Sequence, residues 1–163
     1  MVADRLRFVG QVVRIHADTV SADEAGPADG PDYMFGWGLM NTLSAARIIS
    51  DETSPILEDS ISEDQVKVYS LYAPGDSAIK LTLCWTDPPG NPPEDALDPE
   101  ELMLVNDLDM RLIRKRDSTV YEPFILNPAQ PAEAATTGDN FRDNIEQIHV
   151  SSVSRGFYDL VIT

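Results

Sequence analysis

Asp107 and Asp109 stand two residues apart in LMLVNDLDMRLI, residues 102–113, and Arg111 continues the same alternation. Leu108, Met110 and Leu112 take the other face, which is the period-2 pattern of a half-buried β-strand. Two carboxylates on one strand face repel each other unless a cation, an arginine or water offsets the charge. More oxygen donors stand in flanking segments. Asp87 follows the strand-like run that ends at Trp85, and the loop GDNFRDN crowds Asp139, Asn140, Asp143 and Asn144. Oxygen-rich loops beside paired strand carboxylates suit the shell of roughly six to eight oxygens that Ca²⁺ takes. The candidate Ca²⁺ cluster is therefore Asp107, Asp109, Asp87, Asp139, Asp143 and Asn144. The competing reading is that these Asp and Asn residues cap turns and bond to backbone.

Other chemistries find weaker support. His16 and His149 are the only histidines, and neither has a second His or Cys at metal spacing. His16, Asp18 and a serine could be imagined as a hydrolase triad, but no strained nucleophile turn or oxyanion hole is signalled. Asp107 with Glu146 could be paired across a groove as in a glycosidase, yet carboxylates are plentiful in so acidic a chain. Alternation puts Glu146 on the side of Ile148 and Val150. A buried carboxylate must find a partner or stay protonated, and an ion pair with Arg111 or Arg142 is the expectation. Cys84 lies in the apolar run KLTLCWT and reads as a structural thiol; a lone cysteine excludes an internal disulfide. Trp85 shares the face of Leu81 and Leu83 and reads as core. It and Tyr121 would otherwise be candidates for a sugar-stacking platform.

The elements that must position these residues change character along the chain. Leu6, Val9, Val12, Val13 and His16 fall near helical spacing, so residues 2–17 are expected as a helix, with a short strand near 12–16 as its continuation. Residues 18–32 are a loop rich in Asp, Ala, Gly and Pro. In YMFGWG, residues 33–38, glycines let the backbone turn while the rings are expected to bury. Asn41 is the expected N-cap of a helix over 42–49 with Leu43, Ala46 and Ile49 inward. Residues 50–64 carry six acidic residues and a proline and are expected as a linker. Beyond it, strands are predicted at 66–72, 79–85, 107–113, 119–126, 144–150 and 157–163. Pro123 interrupts the fourth, and four prolines exclude regular structure between 87 and 98. Short strands joined by Pro/Gly turns imply an antiparallel β-sandwich or jelly roll.

The chain has 163 residues, enough for one good core or one domain with part of another. Its net charge of −16 disfavours nucleic acid and anionic membranes as partners. No apolar run approaches the roughly 20 residues that span a bilayer, and the first residues lack a signal-peptide pattern.

Two sets of segments resemble one family. GPDYMFGWGLMNTLSAARII (30–49), preceded by RIHAD (14–18), resembles the close of a subtilisin-like (S8) serine protease catalytic domain. LTLCWTDPPGNP (81–92), LVNDLDMRLI (104–113), GDNFRDNIEQIHV (138–150) and GFYDLVI (156–162) are similar to the P-domain-like β-sandwich appended in the large, Kp43-like subtilases. The resemblance implies a catalytic-domain remnant at 1–50, a linker at 51–64 and a jelly-roll domain at 65–163. His16 would then be a packed residue of the catalytic core. The Asp–His–Ser triad has no counterpart motif here, so the expectation is a non-catalytic, secreted, C-terminal module that stabilises a catalytic domain, with structural Ca²⁺. The alternatives are a jelly roll that binds carbohydrate or protein substrate, and an inert fragment.

Overall fold

The computed structural model describes residues 6–13, 30–37, 41–50, 56–97 and 99–163. His16, Asp18 and the loop through residue 29 lie outside the described residues. Ten strands and one helix are described: β1 (Leu6–Val13), α1 (Thr42–Ser50), β2 (Ile56–Ile61), β3 (Lys67–Ala73), β4 (Ser77–Trp85), β5 (Met110–Arg114), β6 (Thr119–Tyr121), β7 (Phe124–Ile125), β8 (Thr136–Thr137), β9 (Ile145–Val153) and β10 (Gly156–Ile162).

The strands form two four-stranded antiparallel sheets, ordered β2-β1-β4-β9 and β3-β10-β5-β6, and a small β7-β8 ribbon. Alternation builds the layer between the sheets. From β4 come Ile79, Leu81, Leu83 and Trp85; from β9, Ile148 and Val153; from β5, Met110 and Leu112; from β10, Tyr158, Leu160 and Ile162. These side chains make one apolar cluster, so the chain is a mainly β, sandwich-like protein. Leu108 joins that core and Asp107 and Asp109 do not, as the strand alternation requires. The ladder itself begins at Met110, although Asp109 still exchanges two backbone hydrogen bonds with Thr163, each 3.0 Å.

The first half of the chain departs from expectation. Residues 6–13 are a strand, not a helix: β1 lies between β2 and β4, pairing Leu6 with Ile61 and Phe8 with Trp85. Apolar residues at 6, 9 and 13 satisfy a helical template, but Phe8 and three valines favour a pleated strand, and Gly10 weakens a helix interior. Two neighbouring strands then supply the hydrogen bonds that decide the matter. The segment expected as a linker contains β2. Its Asp59 carboxylate accepts Lys67 Nζ and Tyr69 Oη, both at 2.8 Å, and the Ser60 amide at 2.7 Å. The Lys67 and Tyr69 bonds clasp an edge strand of one sheet to an edge strand of the other, and the Ser60 bond is local to β2. They hold the Asp59 carboxyl down at about 2, with the Lys67 hydrogen bond the largest cause. Burial, then Asp59, push the Tyr69 phenol up to about 12.

The helix at 42–50 forms where expected, following Asn41. Its apolar face is not inward: Leu43 is 60% exposed, Ile49 is 74% exposed and Ala46 is exposed too. The aromatic turn also differs. Asp32 Oδ1 accepts the Met34 and Phe35 amides at 2.7 Å each, and Gly36 takes φ 60° to close the turn. Tyr33, Met34, Phe35 and Trp37 nevertheless remain exposed rather than buried. What does pack is Gly30: a Cβ there would stand 2.9 Å from Phe124 Cδ1, so this stretch sits tightly against the β7 side chain.

Candidate functional site

Strand alternation carries Asp107, Asp109 and Arg111 to one side at the start of β5, and the loop before β9 brings Asp139 to them. Arg111 Nη2 lies 2.9 Å from Asp109 Oδ1 and 3.1 Å from Asp139 Oδ1, and its Nε lies 3.9 Å from Glu122 Oε1. One guanidinium therefore answers a group of acids. Burial first, then the facing Asp139 carboxylate, raises the Asp109 carboxyl above its ordinary range. Burial and the charge of Asp139 also raise Asp107. Asp139 moves the other way, lowered by hydrogen bonding to Asp109 and by Arg111.

Beneath this group lies Glu146, with no exposed surface. It occupies a core position of β9 and crosses the sandwich: its Oε2 accepts the Met110 amide of β5 at 2.5 Å. Its Oε1 has no hydrogen-bond partner among the described residues. The expected ion pair is absent. Arg111 is held by Asp109 and Asp139, while Arg142 donates to the Glu100 carbonyl at 3.0 Å and lies over the Phe141 ring. Burial raises the Glu146 carboxyl to about 8, with the charges of Asp109 and Asp107 adding to it. Glu146 is thus a neutral acid at pH 7, because desolvation outweighs what one backbone N–H and a more distant arginine return.

The other candidates gather elsewhere. Asp87, Asp143 and Asn144 line a cleft of about 270 Å³ with Met103, Leu104 and Arg142. Asp87 is a loop clamp: Oδ2 accepts the Val105 amide at 2.6 Å, and Oδ1 accepts the Asn106 amide at 2.9 Å and Nδ2 at 2.8 Å. Trp85 Nε1 donates to the Asn106 carbonyl at 3.0 Å, and Asn144 Nδ2 donates to the Trp85 carbonyl at 2.7 Å. Gly90 lets the same loop close, since a Cβ there would run into the Met103 carbonyl oxygen. Asp87 and Asn144 thus bond to backbone, the kind of work that the competing reading describes. Trp85 is buried in the core.

The six candidates thus fall into a carboxylate group around Arg111 (Asp107, Asp109 and Asp139) and a group that lines the cleft beside Asp87 (Asp87, Asp143 and Asn144). Among the described residues no three or more His, Cys, Asp or Glu side chains are arranged to hold a metal ion. The Arg111 group still carries more negative charge than one guanidinium neutralises, and such an imbalance suits a hard, oxygen-seeking cation. Cys84 is half-buried, and burial raises its thiol, the opposite of an activated nucleophile.

Sequence reasoning overlooked one surface. Cross-strand pairing puts Tyr72 of β3 opposite Phe157 of β10 on the outer face of the second sheet, their ring centroids 5.2 Å apart. Both rings are exposed. The alternation of VKVYSLY and GFYDLVI puts both rings on the outward side of their strands, but only the strand pairing sets them opposite each other.

Fold and site together define a mainly β protein of two antiparallel sheets with a buried neutral acid under a carboxylate–arginine group. Comparison with protein-family models, with curated proteins and with solved structures finds no match to this chain.

Proposed function

We propose that the chain is a non-catalytic accessory module, the C-terminal jelly-roll β-sandwich of a secreted subtilisin-like serine endopeptidase, which packs on and stabilises a catalytic domain. The family rests on the segment resemblances described above. One structural observation supports the docking role: Tyr33, Met34, Phe35, Trp37, Leu43 and Ile49 are all exposed, and such apolar surface is what a neighbouring domain would cover. The module has no proteolytic chemistry of its own in this reading. Casein hydrolysis by the pure chain, blocked by a serine-reactive inhibitor, would overturn it.

Ca²⁺ is proposed as a structural stabiliser beside Asp107 and Asp109, with backbone, amide and water oxygens completing a shell that the described carboxylates do not form by themselves. Thermal melts in excess Ca²⁺ and in chelator test this. A ligand that binds only the folded state at ~100 times its dissociation constant adds about 2.7 kcal/mol, which for a chain of this size raises Tm by roughly 5–10 °C. The rise should vanish in Asp109→Ala. No rise in the parent chain refutes the metal.

A second reading is favoured by the Tyr72–Phe157 pair. Exposed aromatics on one sheet face suit a module that binds carbohydrate or protein substrate and targets an enzyme to it.

A further inference from the structure

The stretch between β4 and β5, residues 86–109, is long for a connection without regular structure, and segments of that length in a compact domain usually carry a function. Pro88, Pro89, Pro92, Pro93 and Pro99 take its backbone out of any ladder. Its two ends are tied together. Asp87 holds the Val105 and Asn106 amides, and Gly90 lies against the Met103 carbonyl. Farther out, Arg142 Nη1 donates to the Glu100 carbonyl at 3.0 Å. The span from 91 to 97 stands beyond these ties. Its backbone makes no hydrogen bond to the backbone of another described residue, and Glu94, Asp95, Ala96 and Leu97 are all exposed. Leu97 is 93% exposed, more than any other large apolar side chain among the described residues. An endopeptidase binds its substrate as an extended strand, so it cuts where the backbone is exposed and free of partners. A leucine in open water beside the scissile bond is what an apolar primary pocket takes.

Strand order decides what a cut here would leave. β1–β4 precede the loop and β5–β10 follow it, and each four-stranded sheet contains strands from both sides. β4 pairs with β9, from Ser77 opposite Val153 to Cys84 opposite Ile145. β3 pairs with β10, from Lys67 opposite Ile162 to Ala73 opposite Gly156. The core is shared in the same way: Leu81, Leu83 and Trp85 come from before the loop, and Leu112, Ile148 and Tyr158 from after it. Neither piece closes a core alone. The apolar burial that holds the uncut fold therefore also holds the pieces to each other. Hydrogen bonds cross the junction too. Asn144 Nδ2 donates to the Trp85 carbonyl at 2.7 Å, and Trp85 Nε1 donates to the Asn106 carbonyl at 3.0 Å.

We propose that the Ala96–Leu97 bond is a site of limited cleavage by an endopeptidase that selects a large apolar residue on the amine side, and that the cut chain persists as one folded protein of two pieces. Water adds across the bond: the Ala96 carbonyl carbon gains the hydroxyl, the C–N bond breaks, and Leu97 leaves with a free amine. Thermolysin, which has this selectivity, is the probe, applied to the whole native chain. Mass spectrometry under denaturing conditions should find two fragments that meet at Ala96 and Leu97. Native size-exclusion chromatography should elute them together at the volume of the uncut chain, with the β-sheet circular dichroism kept, and urea should part them. Leu97→Asp should slow the cut by about a hundredfold, as an apolar pocket discriminates. It should leave the Tm of the uncut chain unchanged, because the side chain lies in solvent. An Ala96–Leu97 bond that survives native digestion, or is cut only in urea, overturns the proposal. So does a Leu97→Asp chain cut there as fast as the parent. Pieces that separate or lose their circular dichroism in native buffer overturn the two-piece assembly.

Discussion

Replacing Glu146 by glutamine removes one titration from the core while keeping the side chain's shape and its acceptor for the Met110 amide. The Glu146 carboxyl moves from its ordinary 4.5 to about 8 in the folded chain, chiefly through burial. Between those values the folded state holds a proton that the unfolded state has released. Stability therefore falls as pH rises, by about 1.4 kcal/mol per pH unit. From pH 5 to pH 8 this amounts to about 4 kcal/mol, a large part of the roughly 5–15 kcal/mol that holds a domain together. Below pH 4.5 both states are protonated and the full contribution is present; above about 8 it is lost. Glu146→Gln does not titrate, so the variant should gain on the parent by about 4 kcal/mol across that range. Urea denaturation of both proteins at pH 5, 6, 7 and 8 measures this. The repulsion among the other carboxylates is common to both and cancels in the difference. Parallel stability curves would refute the reasoning, for they would mean that Glu146 is ionised or solvated in the fold.

Asp59→Asn should lower stability at pH 7 by about 1 kcal/mol, a figure discounted because the Asp59 side chain is 36% exposed. Its folded carboxyl lies at about 2 against 3.8, so the penalty should shrink as pH falls through that window, which thermal melts at pH 7, 4 and 2 would show. Gly90→Ala drives a Cβ into the Met103 carbonyl and should cost about 1–3 kcal/mol; chemical denaturation gives the magnitude, and limited proteolysis should find new cleavage within residues 86–109. The Cys84 thiol, half-buried and raised by burial, should react with a disulfide reagent at pH 7.5 more slowly than a small free thiol and reach the free rate in denaturant. Leu43→Ser with Ile49→Ser should reduce binding of an apolar dye with little change in Tm, since both side chains are exposed in the isolated chain.

The second half of the molecule was legible because its signals are local. Period-2 alternation marks β3, β4, β9 and β10, Pro123 separates β6 from β7, and Ser118 at φ 58° closes the hairpin after Arg114. Alternation also assigned Asp107 and Asp109 to the side away from Leu108. Tertiary structure decided the rest. LRFVGQVV satisfies helical and extended templates alike, and only the flanking β2 and β4 backbones make it a strand. The helix at 42–50 forms from local propensity, but which face is buried depends on a neighbour that its own pattern cannot supply. Glu146 shows the same division most clearly. Its sequence position predicts burial, because strand alternation is a property of the backbone. Whether a buried acid is paired or neutral depends on where the cations lie in space, and Arg111 is taken by Asp109 and Asp139.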